Sequence, residues 1–112
     1  MEIWLKIKNA PKYEVSNYGG FKINGRITYA EYWHTHRTVS WKDIDGIFNS
    51  IGLHRLVYIY FKGEIPYKMI INHLDGDMSN NHIDNLELTT QSENIKHAYR
   101  NNLFITKNYG KK

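Results

Sequence analysis

With 112 residues, 41% of them apolar and 14% aromatic, the chain has material for one modest core and is too hydrophobic to remain unfolded. It contains no cysteine, which excludes a disulfide framework and thiolate metal sites, and no stretch approaches the roughly 18 apolar residues of a membrane span, so it reads as a soluble, unexported, cytoplasmic protein. A formal charge of +4, with basic residues interleaved among aromatics from Lys22 to Lys42, suits a surface that neutralises phosphates.

Turns break up the first third. Asn17-Tyr18-Gly19-Gly20 and Asn24-Gly25 separate the short runs Tyr13–Ser16, Phe21–Ile23 and Arg26–Tyr29. Asn-Gly is a hairpin signal because a type I′ turn needs positive φ at both central positions, so a small antiparallel sheet is expected here. Residues 34–50 carry weaker signals, a strand at Thr38–Trp41 and a turn at Asp45-Gly46. Next, Leu53, Leu56, Val57, Tyr60 and Phe61 fall at i, i+3, i+4, i+7 and i+8. The β-branched and aromatic content of this run favours strand, but the spacing predicts a helix ending near Gly63, with Pro66 as a stop. Lys68–Ile71 reads as a short buried strand, Asp75–Asn81 as a polar loop and Leu86–Thr89 as a second strand. Thr90-Gln91-Ser92-Glu93 is a capping box, which predicts a helix from about Gln91 to Asn101, and the chain closes in a loose basic tail.

The chemistry is concentrated between residues 72 and 97: Asn72-His73-Leu74-Asp75-Gly76-Asp77, then Asn80-Asn81, Asp84-Asn85-Leu86, Glu93-Asn94 and His97. This resembles the HNH nuclease motif in the version common in phage and intron-encoded homing endonucleases. His73, Asn85 and Asn94 match its three letters, spaced by 12 and then 9 residues. His54-Arg55-Leu56-Val57 followed by Phe61 resembles the helix that precedes the motif in that family. Trp4, Ile7, Tyr13–Asn17 and Gly19 resemble the short NUMOD4-like module often joined to such nucleases to contact DNA. The resemblance covers most of the chain, with residues about 25–50 lacking a counterpart.

The resemblance implies an α+β fold, in which a small N-terminal antiparallel β module (residues 1–50) precedes a ββα-metal, or His-Me finger, HNH nuclease core (51–105) and a basic tail (106–112). Each residue type suits its implied role. The unperturbed pKa of histidine, about 6.5, suits His73 to deprotonate water as the general base. Asn72 and Asn94 offer amide oxygens, hard ligands for one divalent cation, Mg2+ or Mn2+. Asn85, by the resemblance, bonds loop backbone across the motif and holds His73 in orientation. His97 shares a helix face with Asn94 at i, i+3 and is placed near the scissile phosphate. Adjacent strand residues point to opposite faces, so Asn72 and His73 converge only if the strand ends there, as Asp75-Gly76 suggests. Arg55, Lys96 and Arg100 are candidate phosphate contacts, with Lys22, Arg26 and Arg37 along the groove.

Competing readings of these residues are weaker. Lone histidines beside Asp-Gly and clusters of asparagine usually mark turns, but the joint spacing favours the motif. A calcium loop starting at Asp75 fails, since its sixth position is Asn80 instead of Gly and its twelfth is Leu86 instead of Glu. Zinc is disfavoured without cysteine or a helical His pair. His34, His36 and His82 read as exposed polar residues. The expected activity is nicking of double-stranded DNA in a phage-infected or bacterial cell, with a homodimer or partner protein supplying further DNA contacts. The alternatives are a structure-selective or defence nuclease, and a non-catalytic DNA-binding protein in which the neutral Asn72 weakens the site.

Overall fold

The computed structural model describes residues 1–28 and 37–93. Asn94, Lys96, His97 and Arg100, the helix expected beyond Glu93, the basic tail, His34 and His36 lie outside the described residues. No described helix is long and apolar enough to cross a membrane.

The N-terminal module is an antiparallel sheet with strands in sequence order: β1 (Trp4–Ile7), β2 (Ala10–Ser16), β3 (Phe21–Ile23) and β4 (Arg26–Thr28). The turn residues dictate this arrangement. Asn24 and Gly25 take φ of 52° and 80°, the pair of positive values a type I′ connection between β3 and β4 needs. Strand β1 was not expected from the sequence. Its burial does not alternate with its apolar residues, Leu5 being exposed and Ile7 buried, and it is defined by pairing with β2 through a turn in which Asn9 adopts φ of 61°.

A second antiparallel pair, β5 (Thr38–Lys42) with β6 (Phe48–Gly52), buries Val39 and Trp41 on one face in the expected period of two. Strand β6 runs across the 50/51 boundary and leads into helix α1 (Leu53–Phe61), where periodicity prevails over β-propensity. Leu53, Leu56 and Val57 face inward while Ile59 is exposed. The helix closes as Lys62 and Gly63 N–H groups both donate to the Tyr58 carbonyl.

The last pair is β7 (Met69–His73) with β8 (Leu86–Thr90), joined by a long loop ending in a 3-10 turn at Ile83–Asn85. After β8, the Glu93 N–H donates to Thr90 Oγ1 at 3.1 Å, one half of the expected capping box. One apolar cluster joins everything: Ile7, Ala10, Val15 and Phe21 of the first sheet pack with Val39, Trp41, Leu53, Leu56, Val57, Ile71 and Leu86. The N-terminal sheet and the hairpin carrying the motif therefore share a core.

Candidate active site

The ladder of β7 runs on through Asn72 and His73, paired with Glu87 and Leu86, instead of stopping at Ile71. This corrects the expected strand end and has a geometric consequence. The two side chains take different partners: the Asn72 amide nitrogen donates to Glu87 Oε1 at 3.0 Å, while His73 Nε2 lies 2.7 Å from Asn81 Oδ1. Strand alternation separates them, so the convergence expected of Asn72 and His73 is not built by the strand alone.

All three polar side chains are buried, His73 to 4% exposure, Asn81 to 6% and Asn72 to 7%. Buried polar groups cost free energy unless hydrogen-bonded, so these contacts are strongly specified. With the Asn81 amide oxygen towards the ring, Nε2 is the nitrogen that donates in this contact. The His54 ring, from the first turn of α1, sits 5.4 Å from that of His73, centroid to centroid. His54, Asn81 and Glu87 were not assigned roles from sequence. Asn81 did stand in the motif's Asn-Asn pair, which was the available signal.

The loop between the strands is stitched by side chains that imitate backbone. Asp75 accepts from the Asp77 N–H at 2.8 Å and from Asn80 Nδ2 at 2.8 Å, and Asp77 accepts from the Ser79 N–H at 3.0 Å. Asn85 joins the two ends: its Oδ1 accepts from the Asp75 N–H at 3.1 Å, and its Nδ2 donates to Asp75 Oδ1 and the Asn80 carbonyl, each at 2.9 Å. It spans the loop's backbone as expected, while the direct contact to His73 belongs to Asn81. Burial alone pushes the Asp75 carboxyl up, but hydrogen bonds from Asn80, Asp77 and Asn85, with the nearby charge of His73, outweigh it and hold the group below its ordinary value.

Four of the candidate DNA contacts fall among the described residues, three of them on or against β3 and β4. Lys22 sits 4.1 Å above the Trp4 ring and 3.9 Å from Glu14, so its charge is already partly engaged. Arg26 is exposed beside the β3–β4 turn. Arg37 donates to the carbonyl and hydroxyl of Thr28, and Arg55 is half-buried on α1. His82, expected to be exposed, is half-buried, with its ring stacked on Tyr18 at 4.7 Å and its Nδ1 accepting from the Asp84 N–H.

A metal fits the donor chemistry in part. Among the described residues no three His, Cys, Asp or Glu side chains cluster to hold an ion. Asn72 donates through its amide nitrogen to Glu87, and its amide oxygen is of the hard-donor type that a divalent cation takes.

Residues 52–96 match the family model for HNH endonuclease. An uncharacterized HNH endonuclease of Acanthamoeba polyphaga mimivirus is 38% identical over 91% of this chain and 27% of its own length. The SPbeta prophage-derived YosQ of Bacillus subtilis (strain 168), named as an HNH homing endonuclease, is 50% identical over 43% of this chain and 28% of its own. The chain thus spans little more than a quarter of either relative. A solved structure of the HNH homing endonuclease I-HmuI, which describes DNA binding and cleavage by that enzyme, shares the fold with a TM-score of 0.75 at 24% identity, over 96% of this chain and 64% of that one. The matched segment opens one residue before α1 and takes in the whole β7–β8 hairpin: over these residues the chain matches the HNH endonuclease family.

Proposed function

We propose that this chain is the nuclease unit of a metal-dependent DNA endonuclease that nicks double-stranded DNA, with His73 as general base. The observation that carries this reading is the buried His73, held through Nε2 by Asn81 at the end of β7, inside the segment that matches the family. A buried imidazole held through one nitrogen has a defined direction, which suits a base.

In the proposed reaction, His73 takes a proton from water as the water oxygen bonds to phosphorus and the bond from phosphorus to the 3′ oxygen breaks. Asn81 holds the ring while its charge develops, and Asn85 keeps the loop closed around both. Asn72 and Asn94 would hold one Mg2+ or Mn2+, which when bound supplies Lewis-acid stabilisation of the scissile phosphate and the leaving oxygen. Arg55, Lys96 and Arg100 would contact phosphates and His97 would lie beside the scissile one, while the N-terminal sheet would follow the groove through Arg26, Arg37 and, less strongly, Lys22.

A second reading, a DNA-binding protein without cleavage, is motivated by Asn72, whose side chain is neutral and tied to Glu87. Conversion of supercoiled plasmid with magnesium, manganese or EDTA separates the two, using wild type, His73→Ala and Asn94→Ala. The nuclease reading expects nicking in either metal but not in EDTA, lowered about 10²- to 10⁴-fold by His73→Ala with DNA affinity retained. Binding without nicking in any metal would establish the second reading.

A further inference from the structure

We propose that the Asn17–Gly20 turn of the N-terminal sheet is a positioning element of the nuclease site: it sets Asn81, and through Asn81 the orientation of His73. The nuclease reading enters only through the role of His73 as base. The geometry itself is independent of it.

Three consecutive turn residues meet three consecutive loop residues in opposite order. The Ile83 N–H donates to the Asn17 carbonyl at 2.8 Å, and the Tyr18 ring stacks on His82 at 4.7 Å with 27° between planes. Gly19 takes φ of +88° directly against Asn81: a Cβ there would lie 2.8 Å from Asn81 Cβ and 2.9 Å from its carbonyl carbon. Both the left-handed φ and the close approach require glycine. Just beyond that contact, Asn81 Oδ1 meets His73 Nε2 at 2.7 Å.

The turn is rigid enough to act as an anvil. Ser16, fully buried, accepts through Oγ from the N–H groups of Tyr18 at 3.1 Å and Gly20 at 2.9 Å, and its own N–H donates to the Gly20 carbonyl at 3.0 Å. The Asn17 side chain accepts from the Ile3 N–H at 2.7 Å and donates to the Met1 carbonyl at 3.2 Å, which fastens the turn to the chain leading into β1. The side-chain stitches of the β7–β8 loop engage Asn80 and His82, on either side of Asn81, while the main chain of Asn81 rests on Gly19. A polar contact inside a tightly packed region cannot relax gradually, so a displacement of a few tenths of an ångström at Asn81 is passed to the imidazole.

The test uses Gly19→Ala, Tyr18→Ala, Asn81→Ala and the Gly19→Ala, Asn81→Ala pair, each checked for a cooperative melt. Ring 15N resonances of His73 report which nitrogen carries the hydrogen, and single-turnover nicking at saturating DNA separates rate from affinity. Wild type should show one tautomer, protonated at Nε2. Gly19→Ala should mix the tautomers and lower the nicking rate about 10- to 100-fold at unchanged DNA affinity, the range seen when a group supporting an active-site ligand is lost. Tyr18→Ala, which introduces no backbone strain, should mix them in the same direction and stands in for Gly19→Ala if that variant does not fold. In the Asn81→Ala background, Gly19→Ala should cost no further rate. A folded Gly19→Ala or Tyr18→Ala with the wild-type ring signal, or additive losses in the pair, would overturn the proposal. Wild type that never nicks DNA removes the nuclease reading, while the ring signal still decides the positioning.

Discussion

Strands β5–β6 and β7–β8 form two antiparallel hairpins on the same core, yet they treat their tips in opposite ways. The β5–β6 turn is closed by one carboxylate, Asp43, whose Oδ1 accepts from the Asp45 and Ile47 N–H groups at 3.0 and 2.9 Å, and it leaves Ile44 71% and Phe48 67% exposed. The β7–β8 hairpin exposes polar residues on its outer loop and buries Asn72, His73 and Asn81 beneath it. In the first, polar atoms finish a turn and apolar ones face water. In the second, polar atoms carry the interior, and each needs a partner, because an unpaired buried polar group costs about 1–3 kcal/mol. Density of side-chain hydrogen bonding, more than strand content, marks which hairpin has a site to hold.

That contrast can be broken most directly at Asn85. Asn85→Ala removes three hydrogen bonds across the long loop, and the expected loss is about 2–3 kcal/mol, a fall in melting temperature of about 10 °C or more by calorimetry, with a larger loss of nicking than of DNA binding. Asp43→Ala, which removes two hydrogen bonds at the other tip, should cost only about 1 kcal/mol and leave the nicking rate unchanged. If Asp43→Ala impaired cleavage as much as Asn85→Ala, the distinction between the hairpins would be lost.

A smaller effect is confined to acid. Because the Asp75 carboxyl is held below its ordinary value of 3.8 in the folded chain, its contribution is present above that value and disappears as pH falls through the lower folded one. The stability gap between wild type and Asp75→Asn, followed by urea titration, should therefore be constant near neutrality and close below about pH 4. A gap that widens in acid would contradict the assigned direction. Least of all should change at Phe48: Phe48→Thr keeps β-propensity, removes an exposed ring, and is expected to shift stability by no more than about 0.5 kcal/mol.

Much of this was legible in the residues. The Asn24-Gly25 hairpin, the helix at 53–61 and the strand opening at Leu86 each follow from a local rule, a φ requirement or a period, that tertiary packing did not override. Strand β1 was not legible, because Trp4–Ile7 has no alternation to read and exists through its pairing with β2. The end of β7 was misplaced by two residues because Asn72 and His73 look like loop residues, and only their pairing with Glu87 and Leu86 keeps them in the ladder. Within the site, the motif marks Asn80-Asn81 as a pair but cannot say which amide turns inward. The structure shows that it is Asn81, packed against Gly19 in the turn between β2 and β3.

The shared core has a consequence for anyone treating the first sheet as an exchangeable cassette. Ile7, Ala10, Val15 and Phe21 lie in one cluster with Leu53, Leu56 and Val57, and each large apolar side chain so buried is worth about 1.5–3 kcal/mol. A chimera joined between residues 50 and 51 would cut β6 in mid-strand and seat the helix of one parent on the wall of another. Changes to the surface of the sheet are made more safely at exposed side chains, such as Arg26 and Ile27, than by replacing the sheet itself.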